Sequence, residues 1–480
     1  MTSLLAVVAA PAAGAAATAL VRGRGQRGLG LAAGVATAVA AVMLAWRVGA
    51  AGEPLTVRGT TPLGTDLVAT ADGLAVAMVL AASAVGLVGA LFAALESEDR
   101  PGASPAYWPL WLLLWTALHA LFLAGDLFGL YLMLELLSIT GAALVSLKGE
   151  PRALVASARY YYAELVASLT FLLGLALVWG QAGTLVLDAL PAELGDSGAG
   201  RLALGVLTAG LLLKVPLVPL HFWLPPAHWL APSAVSPILS AVVVKSAFTV
   251  LLRLWFVALP AAPTAQAALL LGVLGAAAVV WGSLNALRAP HLKLLIAHST
   301  VAQLGLLFLL PPLVLAGAGQ GWTGGVLQAV GHALPKAALL LAAVVLTPGR
   351  GSDDLAATAG AAARRPVAVF AFGLAAVSLV GLPPTVGFVA KWYLLLASLE
   401  TGQWWWVPLI VVGSLLTAAY LMRVLSRALG PGDPAQPRTV GPVDLLALVL
   451  ALGALALGLW PGPLLELLEV GAPLPGPGGG

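Results

Sequence analysis

RLALGVLTAG LLLKVPLVPL HFWLPPAHWL APSAVSPILS AVVVKSAFTV LLRLWFVALP, residues 201–260, decides how the rest of the chain is read. Two apolar segments flank a proline-rich turn, and each is long enough to cross a hydrocarbon core of about 30 Å. Lys214 and Lys245 each sit well inside one of those runs. A lysine at the centre of a membrane helix costs roughly 2.5–3.5 kcal/mol on insertion scales, so it is kept where it faces protein or a water-filled path. Pro216 and Pro219 follow Lys214 closely, and each removes a backbone donor and interrupts regular helix. Irregular backbone at membrane depth is tolerated where it lines a cavity. The stretch therefore reads as half of an ion pathway.

The surrounding composition sets the class. Of 480 residues, 60% are hydrophobic and 9% charged, whereas a soluble domain carries about 25% charged residues. This is the composition of an all-α polytopic membrane protein. With no cysteine, disulfides and thiolate metal sites are excluded. A net charge of +3 calls for no nucleic-acid partner. His221 and His228 in HFWLPPAH have no carboxylate beside them, and no metal site is expected. No glycine-rich phosphate loop or HExxH pattern occurs, so no nucleotide, haem or flavin cofactor is expected.

Apolar stretches of membrane-spanning length number fourteen: 2–21, 28–48, 72–96, 106–124, 127–147, 156–180, 201–220, 235–259, 266–286, 292–316, 322–347, 366–399, 405–426 and 441–461. The twelfth is too long for one straight span and holds Gly381, Pro383, Pro384 and Gly387, which predicts a second broken helix. Broken helices 7 and 12 lie five apart. An odd shift gives opposite topology, so two inverted five-helix repeats are expected. The predicted organisation is a three-helix segment over 1–105, a first repeat (helices 4–8) over 106–260, a second, inverted repeat (helices 9–13) over 261–430, and helix 14 with a poorly ordered tail over 431–480.

Connections after odd-numbered helices carry Arg22, Arg24, Arg27, Arg100, Lys148, Arg152, Arg288, Lys293, Arg350, Arg364, Arg365, Arg423, Arg427 and Arg438; those after even-numbered helices carry Arg47, Arg58 and Arg201. Basic residues mark the cytoplasmic side, which places both termini on the outer face. Trp108, Trp111, Trp223, Trp229 and Trp404 to Trp406 suit interfacial aromatic belts.

The intramembrane charges suggest the chemistry. Glu135 reads as the acidic residue deep in a span, with Asp126 at that span's edge and Glu164 near the start of the next. A carboxylate beside a buried lysine favours the charged forms of both, and Lys214 is the expected partner of Glu135. A lysine separated from its carboxylate can release a proton, which makes Lys214 and Lys245 candidate proton carriers. His332 and Lys336, four apart on one helix face, can serve one water chain. Lys391 follows the second break, and His298 is a further candidate. Each also has a plainer reading: a packing ion pair for Glu135, snorkelling for Lys245, a satisfied helix-packing histidine for His332 and His298.

The stretch KVPLVPLHFWLPPAHWLAPSAVSPILSAVVVKSAFTVLLRL resembles the antiporter-like subunits shared by respiratory complex I and Mrp-type cation/proton antiporters. LKLLIAHSTVAQLG, GHALPKAALL and GLPPTVGFVAKW are similar to that family's tenth-, eleventh- and twelfth-span motifs. The resemblance spans about residues 70–430. It implies fourteen helices, an inverted repeat, a row of charged residues along a hydrated axis and no redox cofactor of the chain's own. Carried over by position, Glu135 matches the fifth-span acid and Lys214 its partner, Lys245 the eighth-span lysine and Lys391 the twelfth-span charge. Lysine at 391 is more similar to the D-type Mrp subunit. His298, His291 and Leu294 stand where a tyrosine, an acid and a basic residue are usual.

Together these readings describe a proton-translocating subunit, not an enzyme by itself, in a bacterial or archaeal inner membrane. The favoured host is a hetero-oligomeric sodium/proton antiporter; the expected partners are other membrane subunits, protons, sodium and lipid. A proton-pumping arm of a complex I-like NADH:quinone oxidoreductase or membrane-bound hydrogenase is the alternative. An inert membrane scaffold is the rival of another class.

Overall fold

The computed structural model describes residues 2–60, 66–95, 104–347, 354–431 and 438–474. Arg100 and Arg350, two of the loop residues used to orient the chain, lie outside them. Among the described residues, eleven helices are long and apolar enough to cross a membrane, and Tyr107–Leu123 and Pro366–Val380 are shorter apolar helices. The protein is an all-α polytopic membrane protein.

The helices divide by burial. In Ser236–Ala258, Leu292–Leu315 and Gly319–Leu346 the most apolar window is 89%, 89% and 83% buried; in Arg24–Ala51, Trp406–Ala428 and Pro442–Leu459 it is 33%, 33% and 28%. Helices that are apolar all round belong in a protein interior or in lipid, and here the first three are enclosed by the rest. Those three carry Lys245, His298, His332 and Lys336, so most of the charged candidates ride on enclosed helices.

Close approach of Ala265–Arg288 to Leu292–Leu307 rests on two glycines. A Cβ at Gly275 would stand 2.5 Å from the Gly305 carbonyl oxygen, and one at Gly305 would stand 2.4 Å from that of Gly275. Small residues let membrane helices pack backbone to backbone, where dispersion supplies the attraction that lipid cannot.

Helix ends fall where proline forbids continuation. Gly198–Lys214 stops at Lys214, two residues before Pro216, and helix resumes at Leu224 after a turn holding Pro219. Pro366–Val380 ends on Gly381 at φ 85°, followed by Pro383 and Pro384, and the chain is helical again over Val386–Glu400. Gly381 takes a left-handed conformation at little steric cost, which suits a helix C-cap.

Four expectations are corrected. A β-hairpin, Leu55–Thr60 paired antiparallel with Asp66–Ala71 from Leu55↔Ala71 to Thr60↔Asp66, interrupts the helices. It continues through bridges Ala69↔Ala124 and Asp126↔Val186, knitting one end of the bundle. The tail past Pro461 is not disordered where it is described: Gly462–Glu469 is a helix that buries Leu464, Leu467 and Leu468. Their i, i+3, i+4 spacing makes one apolar stripe. Trp108, Trp111 and Trp223 are interior residues rather than belt residues; Trp111 stacks on Tyr107 and Trp223 on Tyr160. Trp404 and Trp405 are exposed. Finally, Glu164 is not near a span's start: its helix begins at Pro151, capping the 32-residue run Pro151–Ala182.

Candidate functional site

Lys214 occupies the last position of its helix, where the helix dipole favours a cation. It does not pair with Glu135. Its Nζ lies 2.8 Å from Oε2 of Glu164 and 2.9 Å from Oγ of Ser138, with both charged side chains under a tenth exposed. Ser138 also lies 2.8 Å from Glu164 Oε2, so the three side chains close into a triangle. Glu135 is one turn before Ser138 on Leu127–Ser146, and its Oε1 is buried with no hydrogen-bond partner. The physical reason for the exchange is rotation: Ser138 is buried on the face toward Lys214, while Glu135 is only partly buried.

Next to this pair is a small cavity, lined by Glu164, Lys214, Tyr160, Trp223, Val244 and Ser246, with about 10 Å³ open to the centre of a water molecule. That is about the smallest space that holds one water. Val244 and Ser246 flank Lys245, so the cavity separates the ion pair from the next lysine by one helix wall. Lys245 itself follows a π-helical segment, Leu239–Val243, and donates to the Ala241 carbonyl within it. π-Bulges widen a helix and often mark functional sites.

Farther along, Lys336 is fully enclosed and donates to Ser299 Oγ and, at 3.3 Å, to the Ile296 carbonyl. His332, one turn earlier, has neither ring nitrogen hydrogen-bonded. It lies within electrostatic reach of Lys245, Lys336 and Lys391. Lys391 donates to the Leu379 and Val380 carbonyls at 3.0 and 2.8 Å and to Ser414 Oγ at 2.9 Å. Its ammonium thus caps the helix that ends at Val380, where the dipole favours a cation. A Cβ on Gly381 would meet Lys391 Cδ at 2.6 Å, so the glycine also makes room for the side chain.

Lys245, Lys336 and Lys391 share a feature that sequence did not reveal. Among the described residues none has a carboxylate partner; each donates only to carbonyl or hydroxyl oxygens. Lys214 alone of the four is paired with an acid. His298 stands apart. It is half-buried, its Nδ1 has no partner, and its charged neighbour is His221 in the turn after Lys214.

Sequence reasoning passed over several polar residues. Gln328 donates to Gln303 at 2.9 Å, and Gln303 to Thr417 at 3.2 Å. Arg253 forms two 3.1 Å bonds with Asp72 and a third with the Phe122 carbonyl, tying Val244–Arg253 to two further helices. Arg253 sits in an apolar run exactly as the lysines do, so it was open to the same argument. At the opposite end His291 stacks on Trp229 at 4.9 Å and bridges to Asp354, and Lys293 donates to the Ala231 carbonyl at 2.7 Å.

An enclosed row of ionisable side chains on a polytopic helical scaffold defines a membrane ion-translocating class. Residues 124–417 match the model of the NADH:quinone oxidoreductase/Mrp antiporter transmembrane family. The chain is 34% identical over 437 residues to NADH-quinone oxidoreductase subunit N of Desulforudis audaxviator, covering 86% of this chain and 85% of that protein. Among solved structures, the Mrp complex of a Dietzia species contains a chain with TM-score 0.87 at 24% identity, covering 98% and 96% of the two chains. Respiratory complex I of Thermus thermophilus with bound aureothin contains one with TM-score 0.77 at 27% identity, covering 96% and 98%. The chain belongs to the NADH:quinone oxidoreductase/Mrp antiporter membrane-subunit family, and is a proton-translocating membrane subunit of that superfamily.

Proposed function

We propose that this chain moves protons along the buried row Lys214/Glu164, Lys245, His332/Lys336 and Lys391 within a larger membrane complex, and that the complex is of the quinone oxidoreductase type. The observation that carries the first part is the contrast between one acid-paired lysine and three that hold only neutral oxygens. An ammonium in a low-dielectric interior is costly unless compensated, so the charge on each site depends strongly on its neighbours. Protonating one lysine raises the cost of charging the next, which is the coupling a stepwise relay needs. Glu164, not Glu135, anchors the Lys214 end. Glu135 remains a candidate second carboxylate for a proton approaching that end, and His298 a candidate side branch.

The host follows from the relative that is 34% identical along most of both chains. That likeness favours a redox-driven proton pump over the sodium/proton antiporter that Lys391 suggested. In this reading the fourteen stretches form fourteen spans, the segments 198–230 and 366–400 each form one interrupted span, helices 4–8 and 9–13 are inverted repeats, and both termini face outward. Interrupted helices at matching positions of two halves support that arrangement.

The test uses inverted membrane vesicles carrying the assembled complex. A pH gradient that forms on adding the electron donor, without sodium, supports the pump. A gradient change that needs sodium and no electron donor supports the antiporter. Normal gradients in separate Lys245→Ala and Lys391→Ala variants would support an inert scaffold instead.

A further inference from the structure

The row has a gap between Lys336 and Lys391. Lys336 reaches Ser299 and Lys391 reaches Ser414, and among the described residues no hydrogen bond joins the two lysines. The gap is spanned by one outer helix, Trp406–Ala428, which is mostly exposed at the periphery of the bundle but turns a narrow buried stripe inward. Its sequence GSLLTAAYLM places hydroxyls at Ser414, Thr417 and Tyr420, three residues apart. At about 1.5 Å rise per residue, the three cover roughly 9 Å along the helix.

The Lys391 end is hydrogen-bonded to the stripe, and the Lys336 end approaches it through Ser299. Lys391 Nζ is 2.9 Å from Ser414 Oγ. Tyr420, fully buried, donates to Thr417 Oγ1 at 3.2 Å, and the Ser299 and Gln303 side chains lie within electrostatic reach of its hydroxyl. Ser299 in turn accepts from Lys336. The Gln303 amide donates to Thr417 at 3.2 Å and to the Leu379 carbonyl at 3.4 Å, the same carbonyl that accepts from Lys391. A hydroxyl both donates and accepts, so it can pass a proton on; an ammonium or a carbonyl cannot do both.

We propose that the hydroxyl ladder Tyr420–Thr417–Ser414 carries the proton from Lys336, by way of Ser299, to Lys391. The Lys336 ammonium gives an N–H proton to Ser299 as the Ser299 hydroxyl proton moves to Tyr420. Tyr420 passes its own proton to Thr417, Thr417 to Ser414, and Ser414 to the neutral Lys391 amine. Each hydroxyl gains one proton and loses one. The net change is a neutral Lys336 and a charged Lys391. Two hydroxyls must first turn: Ser299 releases the Ile296 carbonyl and Thr417 the Gly413 carbonyl, to each of which the hydroxyl donates at 2.7 Å, and the freed Thr417 hydroxyl then swings toward Ser414, to which it makes no hydrogen bond in the resting arrangement. Gln303 is a positioning residue: its amide holds the Thr417 oxygen from one side.

The ladder rests on the reading that Lys336 and Lys391 belong to one path, and the test separates the two. The initial rate of proton movement is measured in vesicles carrying the assembled complex, for Tyr420→Phe, Thr417→Val, Thr417→Ser and Lys391→Ala, each normalised to assembled complex. Tyr420→Phe and Thr417→Val are expected to fall about tenfold or more, since positioned proton transfer is worth at least that much. Thr417→Ser, which keeps the hydroxyl, should stay within about twofold. Purely structural roles for Thr417 would penalise Ser, which loses a methyl, more than isosteric Val. If Lys391→Ala abolishes transport while Tyr420→Phe and Thr417→Val run at the parental rate, the ladder is overturned and the path stands. If Lys391→Ala is also unchanged, the path itself fails. Should Thr417→Val not assemble, Tyr420→Phe and Ser414→Ala decide the matter.

Discussion

Replacing Glu164 by glutamine removes the one carboxylate that, among the described residues, is paired with the lysine row. At 2.8 Å two unit charges attract by about 6 kcal/mol at an effective dielectric of about 20. Most of that offsets the cost of dehydrating both groups, and breaking a buried pair by removing one partner typically costs about 3–5 kcal/mol. Lys214 keeps its 2.9 Å bond to Ser138, which retains part of the loss, and the expected figure is about 3 kcal/mol. In a charge-transfer equilibrium that is about a hundredfold. Glu135→Gln, whose Oε1 has no hydrogen bond to lose, should cost under about 1 kcal/mol. The assay is thermal unfolding of the detergent-extracted complex together with proton movement in vesicles, for each single variant and for Glu164→Gln combined with Lys214→Met. The double variant should lose less than the sum of its parts, since it leaves no unpaired buried charge. A costly Glu135→Gln beside a silent Glu164→Gln would refute the assignment.

Other outcomes follow from the packing. Arg253→Gln breaks a two-bond contact with buried Asp72 and should destabilise the complex by about 3 kcal/mol in thermal unfolding. Gly275→Leu drives a side chain into the Gly305 carbonyl, 2.5 Å from the Cβ position, and should cost about 3 kcal/mol or block assembly, seen as loss of complex on native gels. Asp126, outside the spans, caps Leu127–Ser146 by accepting from Gly129 and Val68 backbone N–H groups; burial pushes its carboxyl above the usual 3.8, outweighing those bonds. A raised folded-state value means stability is greatest below the ordinary aspartate range and is lost as pH rises through the folded value. Asp126→Asn should remove that loss, read as a flatter melting-temperature profile over the same window.

The lysines were legible because a charge inside an apolar run is costly wherever the helix packs. Their partners were not. Glu135 and Glu164 both lie in apolar spans, and which one faces Lys214 depends on the relative rotation of three helices. Helices buried all round, such as Ser236–Ala258, carry no apolar face from which rotation can be read. A boundary shift adds to this: the polar turn around Arg152 starts the apolar span at 156, whereas the helix itself starts at Pro151 and places Glu164 well inside it. The hairpin had a visible signal, β-branched residues in LTVRGT and DLVATA, which the strong helical composition overshadowed. The hydroxyl stripe at 414, 417 and 420 is visible as spacing, but only the bonds to Lys391 and Gln303 give it meaning.

The central claim is that the enclosed lysines themselves carry the proton. Lys245→Met keeps the volume and the apolar stem of a side chain that is 1% exposed and removes only its proton-binding end. With the complex assembled to parental level, proton movement in vesicles is expected to drop to the uncatalysed leak. Proton movement at the parental rate in that variant would contradict the account.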